Sequence, residues 1–332
     1  MSKRKKCDFC IGGRLESVTC WILFNTFFMN IPTYFSLILT TFFWGGTFIA
    51  GRALAGSVPP ATAAFYRFAI ASVALLALCR IIDGRLSFPP PSLWFSLLLL
   101  GFTGVFSYNI CFFNGLHYIE AGRASLIISL NPLAITLFAS LFFHETLTLR
   151  QLSGVICSLV GAIFVISNGH PAVILTGSFG RGELAILGCV ISWATYSLVG
   201  RSVVKTLTPL SAVLYSSILG CLMLLFPALQ EGHLLLAKYS FMDVVNIAYL
   251  GLCGTAIGFS LYYQAIRKIG ATRSSVFINL VPVFAILLSW VMLGEAIKPS
   301  VLSGGLLVLA GVSLTNMPKK NKKKILFKRN AT

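Results

Sequence analysis

The sequence predicts an all-α polytopic membrane protein: ten transmembrane helices arranged as two inverted five-helix repeats. Three observations carry that prediction. The 332 residues are 57% hydrophobic and only 11% charged, with a mean hydropathy of +0.87. Apolar stretches long enough to cross a bilayer follow one another almost without interruption. The second half of the chain also repeats the first.

A soluble domain carries roughly 25% charged residues, so this chain cannot cover a water-facing surface. A helix crosses hydrocarbon in about 20 apolar residues. Backbone N–H and C=O groups have no water to bond there, so each span should be a helix rather than open sheet. Ten such spans are expected near 34–54, 59–82, 93–115, 121–143, 150–168, 183–204, 209–229, 244–266, 272–294 and 299–316. Turn-forming or charged residues separate them: Pro59-Pro60, Asp83-Gly84-Arg85, Pro89-Pro90-Pro91, His144-Glu145, Asn168-Gly169-His170-Pro171, Thr208-Pro209 and Lys298-Pro299.

Residues 1–33 form a leader, with Lys3-Arg4-Lys5-Lys6 ahead of an apolar stretch from Val18 to Phe28. No small-residue cleavage site follows, so the leader is read as uncleaved. Met29 offers an alternative start. Residues 317–332 form a basic tail suited to orientation and contact with membrane lipid.

The net charge of +17 does not point to nucleic acid, because the cations lie between apolar spans and at the termini. Cytoplasmic loops of membrane proteins are enriched in Lys and Arg. With a cytoplasmic N-terminus, 20 of the 26 basic residues fall inside, among them Arg80, Arg85, Arg150, Arg201, Lys205, Arg267, Lys268 and Arg273. Arg52, Arg123, Arg181, Lys238 and Lys298 fall outside, and Arg67 lies within the second span. The expectation is a multi-pass protein of the cytoplasmic (inner) membrane with both termini cytoplasmic. Cys7 and Cys10 form a lone CxxC, read as two free thiols; no metal and no other cofactor is expected.

The repeat is clearest at a shift of 150 residues. Gly101 meets Gly251, Gly104 meets Gly254, Arg123 meets Arg273, Ser125 meets Ser275, Pro132 meets Pro282 and Glu145 meets Glu295. Ser153-Gly154 meets Ser303-Gly304, and Gly161 meets Gly311. At a shift of 149, Trp44 meets Trp193 and Arg52 meets Arg201. Shared apolar composition does not align Pro, Glu, Arg and paired Gly in one register. An odd number of spans per half, 34–168 and 183–316, sends the second half in from the opposite face. Inverted halves of this kind are the architecture of alternating-access carriers.

The motifs are Trp44-Gly45-Gly46-Thr47-Phe48 in span one, Ala64-Phe65-Tyr66-Arg67-Phe68 in span two, and Ala121-Gly122-Arg123-Ala124-Ser125 leading to Asn131-Pro132 and His144-Glu145. The second half carries Ala271-Thr272-Arg273-Ser274-Ser275, Val281-Pro282 and Gly294-Glu295. Over residues 34–316 this pattern resembles the drug/metabolite transporter superfamily, specifically its EamA-type members. The resemblance implies ten helices, a central cavity between halves, and export or uptake of small metabolites.

Candidate binding residues follow from the cost of polarity in hydrocarbon. A cation at a span centre costs about 2.5–3.5 kcal/mol on insertion scales, so Arg67 needs a partner, a cavity or a path by which it snorkels to the interface. Its alternatives are attraction of an anionic or carboxylate-bearing solute, or a structural or gating role in which it bonds backbone carbonyls or reaches the headgroups. Trp44, Thr47, Asn109, Trp193 and Tyr196 are expected to line a cavity, within a wider group that includes Tyr108, Asn114, Tyr262, Tyr263 and Gln264. Pro132 and Pro282 are expected to bend their spans, because proline removes a backbone donor. Glu145 and Glu295, at the ends of those spans, are expected to cap or gate. The small faces of spans five and ten suit packing, either between the halves or in a homodimer.

No phosphate-binding loop or HExxH pattern is present, and the histidines lie on separate loops, so an enzyme is not expected. The expected function is a secondary transporter of a small organic metabolite, amino acid-like or amphipathic, working toward efflux. An intramembrane lipid-modifying enzyme and a non-transporting scaffold are the alternatives.

Overall fold

A computed structural model describes residues 33–84, 86, 88–143, 149–167, 169–170, 180–269 and 277–316. The leader up to residue 32, the basic tail, His144-Glu145 and the segment holding Arg273 lie outside the described residues.

The described chain is helical, with no strand among these residues. In order, α1 is Thr33–Leu54, α2 Pro60–Ile82, and α3 Pro91–Tyr118, with a π-helical segment at Gly101–Ser107. Next come α4 (Ala121–Ile128), α5 (Asn131–Phe143), α6 (Leu149–Ile166), α7 (Arg181–Val203) and α8 (Pro209–Gln230). The ninth helix, α9, starts at Phe241–Tyr249, passes through a π segment at Leu250–Ile257 and resumes at Gly258–Ile269. A 3₁₀ turn at Phe277–Asn279 leads into α10 (Leu280–Leu288), which ends in a π segment at Ser289–Leu293; α11 is Pro299–Asn316. Proline opens α2, α8 and α11, where its missing N–H would have no intrahelical partner.

Six of these helical stretches are long and apolar enough to cross a membrane: α1, α2, α3, α7, α8 and α9 through Ala265. Shorter apolar helices run at Ala121–Ile135, Leu152–Val165, Phe277–Leu293 and Pro299–Leu314. Large apolar side chains such as Phe95, Leu149, Val73 and Leu306 stand on the outer surface, as lipid requires and water forbids. The chain is therefore a multi-pass membrane protein.

Two helix pairs tie the halves together. Glycines on α6 and α11 let these helices touch backbone to backbone. A Cβ on Gly161 would lie 2.7 Å from the Gly304 carbonyl, and one on Gly311 2.6 Å from the Gly154 carbonyl. The small faces of these two helices thus cover each other within one chain. In the second pair, α2 and α8 run antiparallel and exchange caps. Glu231, at the end of α8, accepts from the N–H groups of Ala61 (2.9 Å) and Thr62 (2.7 Å) at the start of α2. Asp83, at the end of α2, accepts at 2.5 Å from Thr208, which caps the start of α8.

Repeat-related glycines make repeat-related contacts. A Cβ on Gly101 would meet Leu219 and the Ser216 carbonyl, and one on Gly251 would meet Ile70 and the Arg67 carbonyl. Shifting Arg67 and Ile70 by 149 gives Ser216 and Leu219. The two π segments, Gly101–Ser107 and Leu250–Ile257, also correspond at the shift of 150.

Candidate functional site

Among the described residues, the interior holds one buried cation. Arg67 on α2 is only 8% exposed. Its Nε donates to Thr255 Oγ1 at 3.2 Å, and its Nη1 donates to Asn109 Oδ1 at 3.1 Å. The guanidinium also lies 5.3 Å from the centre of the Phe68 ring, a cation–π contact. Asn109 and Thr255 are each 1% exposed.

Both partners of Arg67 are anchored on π segments. Asn109 Nδ2 donates to the Val105 carbonyl at 2.7 Å, and Thr255 Oγ1 donates to the Leu250 carbonyl at 2.9 Å. Val105 belongs to the π segment of α3, and Leu250 to that of α9. Single-turn π insertions free a carbonyl from the regular ladder and recur at functional sites. Here they turn two backbone acceptors toward the side chains that hold Arg67. Among the described residues the ion pairs are Arg52–Glu295, Arg123–Glu183 and Lys298–Glu120, and none of these carboxylates reaches Arg67.

Aromatic rings cluster in the same interior. Trp44 on α1 lies 5.4 Å from Phe259 and 5.3 Å from Tyr262, both on α9. Trp193 on α7 stacks on Tyr196 at 5.2 Å, meets Tyr108 at 5.6 Å and approaches Phe259 at 6.5 Å. The repeat-related tryptophans therefore converge on Phe259. The Trp44 indole N–H also donates to the Gly254 carbonyl at 3.0 Å. Thr47 donates to the Trp44 carbonyl at 2.6 Å, and its methyl group fills the space a Cβ on Gly254 would need. Tyr196 fills the equivalent space over Gly104.

The Trp44-Gly45-Gly46 motif now has a physical basis. A Cβ on Gly45 would lie 3.0 Å from the backbone N of Ala285, so Gly45 allows α1 to approach α10. A Cβ on Gly46 would lie 2.1 Å from the Tyr249 hydroxyl, which donates to the Phe43 carbonyl at 3.0 Å.

At one end of the molecule the halves are joined by charge. Gly294 ends the last turn of α10 with φ of 66°, a conformation glycine favours, and turns the chain so that Glu295 faces α4. Glu295 accepts from the N–H groups of Ala121 (3.1 Å) and Gly122 (3.5 Å), and its carboxylate lies 3.9 Å from Arg52. A cleft beside it is lined by Glu120, Gly122, Arg123, Ile286, Ser289 and Glu295.

Pro132 stands second in α5, just past a break at Ser129–Leu130 that ends α4. Pro282 stands third in α10, just past the 3₁₀ turn. Each begins a helical segment after an interruption. Glu145 lies outside the described residues. The structure brings Arg67 and Asn109 together, gathers Trp44, Trp193 and Tyr196 around the α9 rings, and places Glu295 apart at one end.

The EamA-like transporter family matches the chain twice, over residues 31–167 and 180–317. This chain belongs to the EamA-like transporter family. Among similar proteins is "Uncharacterized transporter YyaM" of Bacillus subtilis (strain 168), 30% identical over 89% of this chain and 98% of its own length. Another is the "Probable terminal-alkyne amino-acid exporter" of Streptantibioticus cattleyicolor, 30% identical over 85% of this chain and 92% of its own. A crystal structure shares the fold over 90% of this chain and 99% of its own, with a TM-score of 0.59 at 19% identity. As an EamA-family protein the chain is a transporter, and its partner is a small-molecule substrate.

Sequence reasoning missed Thr255, Phe259 and Tyr249 as parts of this EamA-family interior. The available signal was the duplicated glycine pair, Gly101/Gly104 and Gly251/Gly254, which marks both π segments.

Proposed function

We propose that this EamA-family transporter is a secondary carrier of the cytoplasmic membrane that exports a small amphipathic organic metabolite, amino acid-like in chemistry, by alternating access. The observation that carries this reading is Arg67. It is a buried cation held between the π segments of both halves, and no described carboxylate pairs with it. A carboxylate-bearing solute supplies the missing anion, and the rings around Phe259 receive its apolar body. The exporter named among the relatives supports both the substrate class and the direction. Trp44, Thr47, Arg67, Asn109, Trp193 and Tyr196 form the binding group in this proposal, and Pro132, Pro282, Glu145 and Glu295 belong to the moving ends.

The chain crosses the membrane ten times in this reading, six times as the long helices and four times as the shorter segments. The halves are inverted, and both termini are cytoplasmic. Support comes from the antiparallel pairing of the repeat-related helices α2 and α8, and from the excess of Lys and Arg on the proposed cytoplasmic side.

Purified protein in liposomes tests the transport claim. Counterflow of radiolabelled amphipathic amino acids should exceed that in empty liposomes and fall to background in Arg67→Gln. No flux across such a panel counts decisively against the proposal. Cysteines placed at the exposed, repeat-related positions Tyr118 and Lys268 test the inversion. An impermeant maleimide should label them from opposite faces, and labelling from one face removes the inverted arrangement.

A further inference from the structure

We propose that Thr255 is a positioning residue for the anionic end of the substrate, aiming Arg67 so that the site selects a single carboxylate in a single orientation. The inference rests on the transport reading above and adds a residue and a selectivity to it.

A hydroxyl has one proton to give. In Thr255 it goes to the Leu250 carbonyl at 2.9 Å, so an oxygen lone pair is left to accept from Arg67 Nε at 3.2 Å. Asn109 is committed in the same way: its amide N–H groups face the Val105 carbonyl, and its Oδ1 accepts from Arg67 Nη1. Two nitrogens of the guanidinium are thus fixed, one by each half of the protein. Among the described residues no protein acceptor engages Nη2. A planar guanidinium held by two of its nitrogens presents the third in a set direction, which suits recognition of a carboxylate.

The repeat shows that this arrangement occurs once. The counterpart of Arg67 is Ser216, that of Asn109 is Phe259, and that of Thr255 is Val105. The scaffold is doubled around a polar trio in one place and a hydroxyl, a phenyl ring and an isopropyl group in the other. Phe259 is also the ring on which Trp44 and Trp193 converge. A substrate with one carboxylate and one apolar end therefore has one favoured orientation between these poles.

Thr255→Val keeps the shape and removes the hydroxyl, leaving the Arg67 N–H and the Leu250 carbonyl without it. Thr255→Ser restores the hydroxyl. Full-length wild type and both variants are reconstituted, with melting in detergent as the folding control. Radiolabelled L-phenylalanine is the probe, and phenylalaninamide, which lacks the carboxylate, is the competitor. Thr255→Val should raise KM about tenfold with the maximal rate changed by less than about threefold, as loss of one charge-assisted bond made by bound substrate's partner predicts. Its preference for carboxylate over carboxamide should shrink by a similar factor, which a general loss of stability would not produce. Thr255→Ser should track wild type. Wild-type transport with unchanged KM and selectivity in Thr255→Val, or a Ser variant as impaired as the Val variant, overturns this inference alone. A wild-type protein that neither binds nor moves L-phenylalanine overturns it together with the proposed substrate class.

Discussion

Glu295 accepts from the N–H of Ala121 at 3.1 Å, so the turn that ends α10 in the second half caps α4 of the first. The same end of the molecule repeats this habit. Glu231 caps α2, Asp243 accepts from Ser57 at 2.6 Å, Arg123 meets Glu183 at 2.7 Å, and Lys298 meets Glu120 at 2.9 Å. Every one of these contacts crosses from one half to the other. A helix N-terminus carries about half a positive charge, which a carboxylate or water can satisfy in turn. In the proposed transport cycle, such an end can exchange its partners for solvent.

Replacing Glu295 by Gln keeps one acceptor and removes the charge that faces the α4 N-terminus and Arg52. The cleft lined by Ser289 should open more often. Ser289 is 3% exposed, so a cysteine placed there is a sensitive reporter. An impermeant maleimide should label Ser289→Cys several-fold faster in the Glu295→Gln background. Equal labelling rates would overturn the proposed gating role of Glu295.

Gly46 and Tyr249 should behave as a coupled pair. A methyl at position 46 would lie 2.1 Å from the Tyr249 hydroxyl and 2.9 Å from its Cζ. Overpacking of this kind costs about 1–3 kcal/mol. Gly46→Ala should therefore lower the melting temperature in detergent, and adding Tyr249→Phe should restore part of the loss, because the ring carbon stays close. Purely additive losses in the double variant would rule out the contact as the cause.

The scaffold was more legible in the sequence than the site. Gly101/Gly251, Gly104/Gly254 and Trp44/Trp193 were visible as a duplicated pattern because glycine and tryptophan stand out against Leu and Val. Arg67 was visible because a cation in an apolar span is costly. Thr255 was not: it is one hydroxyl in an apolar run, and its partner lies 188 residues away. The π segments have the composition of ordinary helix, so only the doubled glycines hinted at them. The interruption at Ser129–Leu130 was not legible, because those two residues sit in an apolar run and the Asn131-Pro132 that follows also fits a bend within one span.

The α6–α11 seam should tolerate no added atoms. A Cβ on Gly311 would lie 2.5 Å from the Ser158 backbone N and 2.6 Å from the Gly154 carbonyl, and backbone cannot step aside as a side-chain tip can. Gly56 has nothing within 4 Å. Gly311→Ala should lower the melting temperature or the yield of monodisperse protein sharply, while Gly56→Ala should leave both unchanged. Similar behaviour of the two variants would mean that the seam is looser than its geometry.

The two tryptophans occupy repeat-related positions but do different work, and substitution should separate them. The Trp44 indole N–H satisfies the Gly254 carbonyl inside the α9 π segment. Trp193 is placed by its rings, against Tyr108, Tyr196 and Phe259. Phenylalanine preserves an aromatic face and removes the N–H. Trp44→Phe should therefore lose about 1–3 kcal/mol, the cost of leaving a buried acceptor unmade, whereas Trp193→Phe should lose less. Both should retain transport, because the ring surface around Phe259 survives. Alanine at either position removes that surface and should raise the KM for an amphipathic substrate. Melting curves and liposome uptake on the four variants decide the matter. A Trp193→Phe variant as unstable as Trp44→Phe would show that the donor to Gly254 is not what distinguishes them.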